Sequence, residues 1–146
     1  MKSFNEFIKR RIVIKQAPQI SRANDLINES ARKEKSLRER IDKIGLKEEN
    51  ANDIIEDCYG VLMPLLRAKM LLDGYNASGY SAHEAEVAYL KELGFSDNDM
   101  EFMDKLRYFR NGILYYGKKG DSEYAQHVLN FMAKTYKNLG CIIEKR

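Results

Sequence analysis

Arg110, Asn111 and Gly112 stand together inside an apolar, helix-forming stretch, LRYFRNGILYYGKKG, residues 106–120. Each is costly in that setting. Glycine in a helix interior costs about 1 kcal/mol relative to alanine, and a guanidinium among apolar side chains needs something to meet its charge. Arg110 follows Met103 by seven residues and Leu106 by four, and precedes Ile113 by three and Leu114 by four. On a helix these positions share one stripe, so Arg110 points along the apolar side. Asn111 and Tyr115 are four apart and fall on the adjacent face, with Asp104 and Tyr108. Gly112 lies one step further round and would let another helix approach closely. By spacing alone, Arg110 is a snorkelling side chain, half of a buried ion pair, or a charge kept for a ligand.

Other chemistry is thinly represented. The chain has two histidines, His83 and His127, and no Glu-x-x-His pair of the kind a di-iron bundle needs. No metal site and no cofactor are expected. His83, two residues after Ser81, reads as a surface or capping residue, and His127 as exposed. The glycines are isolated, with no phosphate-cradling loop, and no Gly-x-Ser-x-Gly elbow occurs. Cys58 and Cys141 lie far apart, outside any C-x-x-C pattern, and read as reduced packing residues.

The elements that must position Arg110 are helical. Ser3 with Glu6, Ser81 with Glu84, and Ser96 with Asp99 each fit a helix-starting capping box. Gly45, Gly74, Gly94, Gly117 and Gly140 suit helix stops. Together they predict helices over 3–15, 19–44, 50–73, 82–93, 97–116 and 122–139, with RIVIK in the first readable as a short strand instead. The 50–73 segment is apolar over much of its girth and so should be central, bent where Pro64 clashes with the carbonyl of Gly60. Short connections between long amphipathic helices imply an all-α, antiparallel up-and-down bundle of four to six helices, one domain over 1–146.

With 146 residues, 44% hydrophobic and 32% charged, the chain can bury a core without a staple. No run approaches the length of a membrane span, and the N-terminus lacks the features of a signal peptide, so a cytoplasmic protein is expected. Charge is uneven. Residues 1–47 carry 13 Lys and Arg against 6 Asp and Glu, and the remainder 12 against 16. The basic N-terminal third is either a solvated helix laced with ion pairs, as RKEKSLRERIDK suggests, or a surface for phosphates or an acidic partner.

The region around Arg110 resembles the HEPN family, small helical-bundle proteins of prokaryotic defence and toxin–antitoxin systems. The family signature is an arginine, a polar residue (often asparagine), three variable residues and a histidine. Arg110 and Asn111 match, and Tyr115 stands at the histidine position. The likeness runs from about Asn50 to Leu139, through YSAHEAEVAYLKELGFSDNDMEFMDKLRYFRNGILYYGK and DSEYAQHVLNFMAKTYKNL, as in short archaeal members. It implies metal-independent ribonuclease ancestry, with the motifs of two protomers meeting in one cleft. Arg110, Asn111 and Tyr115 would be the degenerate catalytic set, and Arg110, Arg107 and Lys118 the phosphate or RNA contacts. Gly112 and Ile113 would line the homodimer interface. A tyrosine of ordinary pKa, about 10, is ionised in only about one molecule per thousand at neutral pH. The departure at Tyr115 therefore implies a dimeric RNA- or nucleotide-binding module rather than a strong nuclease. The alternatives are a weakly active ribonuclease, or a toxin–antitoxin subunit paired with a minimal nucleotidyltransferase. In some HEPN toxins such a partner modifies a tyrosine two residues beyond the histidine, where this chain has Gly117.

Overall fold

A computed structural model describes residues 1–117 and 119–145, the side chains of residues 114–116 excepted. The described residues form an all-α bundle with one small two-stranded sheet. The elements are α1 (Phe4–Lys9), β1 (Val13–Lys15), α2 (Ile20–Ile44), α3 (Ala51–Leu72), β2 (Tyr75–Ala77), α4 (Ala82–Glu92), α5 (Asp97–Tyr116) and α6 (Ser122–Glu144).

α3 is the centre. Thirteen of its residues are buried, from Ala51 to Leu71, on more than one side of the helix. Pro64 lies within it, and the helix continues through. α2 runs antiparallel along α3: Ala23 packs with Ala68, the Ser30 hydroxyl donates to the Val61 carbonyl (2.6 Å), and Arg40 pairs with Asp57. As one number rises the other falls. α5 and α6 are antiparallel by the same criterion, through Asp99 with Lys134, Phe102 with Phe131, and Phe109 with Tyr124.

The α5–α6 connection is fixed to the start of α3. The Gly120 N–H donates to Asn52 Oδ1 (2.7 Å), and the Ser122 N–H donates to Glu48 Oε1 (3.0 Å). Gly120 is needed there: a Cβ would meet Ile55 Cδ1 and Phe109 Cζ, each at 2.8 Å. This clamp sets the end of α5, and hence Arg110, against the first half of α3.

Side-chain caps close the starts of α1, α5 and α6. Ser3 and Ser96 accept from the N–H groups of Glu6 and Asp99, as their spacing predicts. Gly117 closes α5 in the left-handed conformation, with φ 64°. Ser81 makes no side-chain cap bond, so its capping box with Glu84 is not formed.

Three expectations are corrected. The first helix does not reach residue 15: it stops at Lys9, and RIVIK turns into β1, pairing antiparallel with β2 (Val13 opposite Ala77). Phe4, Tyr75 and Tyr89 meet edge-on or tilted and join α1 and this two-stranded sheet to α4. Gly140 does not stop α6, because Leu139 and Ile143 carry the buried stripe past it to Glu144. Cys58 is a buried thiol as expected, but Cys141 is exposed.

Candidate functional site

Arg110 reaches into a cleft of about 370 Å³ enclosed by α2, α3 and α5. α2 supplies one wall through Arg32, Ser36 and Arg40, spaced by four, with Lys33 beside them. α3 supplies the other through Glu56, Asp57, Tyr59 and Gly60. Glu56 and Gly60 are one turn apart, so they share a face, and Gly60 puts no side chain into the space. A Cβ there would lie 3.9 Å from Lys33 Nζ.

The cations of this cleft are not equivalent. Arg32 binds Glu29 through two nitrogens, at 2.5 and 3.0 Å, and Lys33 lies 4.0 Å from the same carboxylate. Arg40 meets Asp57 at 2.7 Å. These pairs are largely exposed and contribute little to stability. Arg110 differs. Its guanidinium carbon sits 5.3 Å from the centre of the Tyr59 ring, and among the described residues no carboxylate pairs with it. Arg110 itself is half-buried. A cation over an aromatic face is held in place without being neutralised. Its nitrogens keep their donors for a ligand, in the planar fork that suits phosphate.

Tyr59 links this cleft to a second polar cluster. Its ring is 5% exposed, and burial pushes its hydroxyl up to about 12. The charges of Arg110, Arg107 and Arg67 act to lower it, and that of Glu86 to raise it. Glu86, 2% exposed, is held from two sides. Arg67 grips it in a fork (Nε to Oε2 2.6 Å, NH2 to Oε1 3.2 Å), and His83 Nδ1 lies 2.9 Å from Oε1. Burial acts against the Glu86 charge, but the His83 and Arg67 bonds outweigh it and hold the carboxyl below its ordinary range. The result is an exposed imidazole oriented by a buried carboxylate, an arrangement that fixes a histidine's ring and tautomer.

The predicted site residues are dispersed in role. Arg110 lines the cleft. Asn111 and Gly112 are half-buried, and Ile113 is half-buried and packed against the core. Arg107 is engaged within its own helix: it bonds Asp104 (2.9 and 3.0 Å) and lies 4.5 Å over the Tyr108 ring. It does not line the cleft. The Tyr115 side chain and Lys118 lie outside the described residues.

Sequence reasoning missed Tyr59, Arg40, Lys33 and Glu56 as cleft residues, and Arg67 and Glu86 as partners of His83. Spacing gave one hint, the recurrence of Arg32, Ser36 and Arg40 every fourth residue on α2. Among the described residues no three His, Cys, Asp or Glu side chains group as metal ligands, and no helix is long and apolar enough to cross a membrane. No protein-family model, curated protein or solved structure matches the chain.

Proposed function

We propose that this protein is a HEPN-like helical module that binds RNA, or a nucleotide through its phosphate, in the cleft between α2, α3 and α5. One observation carries the reading. Arg110 is poised on Tyr59, half-exposed, without a carboxylate partner among the described residues, in a cleft whose other wall is cationic. A buried structural arginine needs an anion to offset its desolvation, and no carboxylate among the described residues meets Arg110. A guanidinium fixed by an aromatic ring and flanked by Arg40 and Lys33 suits a phosphate. The basic surface of α2 supplies the sequence-independent attraction that a polyanion requires.

Binding, rather than robust cleavage, follows from Tyr115 at the position where the resembled family has histidine. General acid–base catalysis contributes about 10²- to 10⁴-fold, and a phenol of ordinary pKa does not supply it at neutral pH. We further propose a cytoplasmic homodimer formed through the α5 face that carries Gly112 and Ile113. Tyr108, 65% exposed one turn before Gly112, supports this by extending that face with an aromatic ring open to solvent. The test of the binding reading is RNA affinity at low salt, together with thermal melting, for wild type beside Arg110→Ala.

A further inference from the structure

The cleft contains a carboxylate that a pure phosphate site would not keep. Glu56 lines it and is half-buried. Glu29 and Asp57 are each engaged by cleft cations, whereas no side chain among the described residues pairs with Glu56. A carboxylate in the same cleft as Arg110 repels a phosphate, but it would accept a hydrogen bond from a donor that the ligand also brings. A carboxylate is acceptor-only, and two classes of donor are available, a metal ion or a hydroxyl or amino group. Asp57 is committed to Arg40, and no third metal-ligating side chain groups with this pair among the described residues. A hydroxyl or amino donor remains, and next to the phosphate of a nucleotide the donor is a sugar hydroxyl.

Position selects which hydroxyl. Glu56, Tyr59 and Gly60 follow at i, i+3 and i+4 on α3, so the Glu56 backbone lies about 4.5 Å along the helix axis from that of Tyr59, over whose ring Arg110 sits. Gly60 leaves the intervening space open, with Lys33 Nζ on its far side. A nucleotide carries sugar hydroxyls next to its phosphate and so offers a partner to each of the two residues. The cleft volume falls within the usual range for small-ligand sites. Ribose 2′-hydroxyls are bound by carboxylates in dinucleotide folds, and the 2′-hydroxyl is what distinguishes RNA from DNA at a given site.

Resting on the phosphate-binding reading above, we infer that Glu56 reads the sugar: its carboxylate accepts a hydrogen bond from a ribose 2′-hydroxyl while Arg110 holds the adjoining phosphate, so the cleft selects RNA over DNA. A hydrogen bond to a charged acceptor corresponds to about a tenfold or larger preference. The experiment is fluorescence anisotropy at low salt with one labelled single-stranded RNA. It is compared with the DNA of the same sequence carrying deoxyuridine for thymidine, and with its 2′-fluoro counterpart, which lacks the donor. Wild type should bind RNA about tenfold more tightly than either of the others. Glu56→Ala should bring the RNA to DNA ratio near one without weakening DNA binding. Its melting temperature should be unchanged, because no described side chain bonds to Glu56. Retention of the preference in Glu56→Ala, or equal binding of 2′-fluoro RNA and RNA by wild type, overturns the assignment and leaves phosphate binding standing. Failure of wild type to bind any of the three overturns both. Arg110→Ala, in contrast, should weaken all three.

Discussion

Arg110 lies over the ring of Tyr59 at 5.3 Å, tying the one cleft cation without a carboxylate among the described residues to a buried aromatic of the cleft wall. The two residues hold each other. The ring fixes the guanidinium, and the guanidinium charge opposes the upward pull of burial on the phenol.

Alkaline stability should report this pair. Burial raises the Tyr59 pKa to about 12, from an ordinary value of about 10. The unfolded chain ionises first, so the stabilisation is intact below pH about 10 and lost as pH rises toward 12. Two units correspond to about 2–3 kcal/mol. Melting in that range should fall more steeply for wild type than for Tyr59→Phe. The difference in phenolate absorbance between the two should titrate later in an Arg110→Ala background.

Arg67 and Glu86 make the opposite prediction at acid pH. Burial disfavours the Glu86 carboxylate, but His83 and Arg67 outweigh it and the folded pKa is lowered. Its stabilisation is therefore present above the ordinary carboxyl pKa of about 4.3 and is lost as pH falls through the lower folded value. Arg67→Ala strips the main partner from a carboxylate that is 2% exposed and should cost about 3–5 kcal/mol at neutral pH. Denaturant unfolding at pH 7 and melting between pH 7 and 3 measure both effects, and Glu86→Gln should flatten the acid limb.

Much of this architecture was legible in the sequence, and the rest was hidden for physical reasons. α2, α3, α4 and α5 begin and end within a residue or so of the predicted bounds, although of the four only α5 has a side-chain cap at its start. RIVIK was readable as a short strand, and Val13–Lys15 forms one, but its partner, Tyr75–Ala77, lies some sixty residues away, beyond any local pattern. α6 ran past Gly140 because Leu139 and Ile143 still had core to bury. Arg110 was visible as a charge on an apolar stripe. Its setting was not: Tyr59 reads as ordinary core, and Arg32 and Arg40 as ordinary members of a charged helix. Glu86 carries no signal in the sequence, since nothing nearby announces Arg67.

The α5 surface should govern self-association. A leucine at Gly112 would hold a second helix away, so Gly112→Leu should weaken the proposed homodimer with little effect on the fold, given that Gly112 is half-buried. Light scattering across tens of micromolar measures it. A wild-type monomer throughout that range would remove the dimer from the account.

Restoring the resembled motif probes its ancestry. Tyr115→His places an imidazole of ordinary pKa five residues after Arg110. Metal-independent RNA cleavage should appear in this variant, measured with chelator present, and should be slower or absent in wild type. Equal cleavage by both proteins would mean that the natural chain is itself a nuclease.

The central claim is that Arg110 is held for a phosphate rather than for a structural partner, and Arg110→Ala tests it most directly. Melting and low-salt RNA binding are measured on the variant and on wild type. The account predicts wild-type binding that weakens with salt, a loss of about tenfold or more in the variant, and a stability change of about 1 kcal/mol or less. A stability loss of about 3–5 kcal/mol, the signature of a broken buried ion pair, together with no RNA binding by wild type, would contradict it.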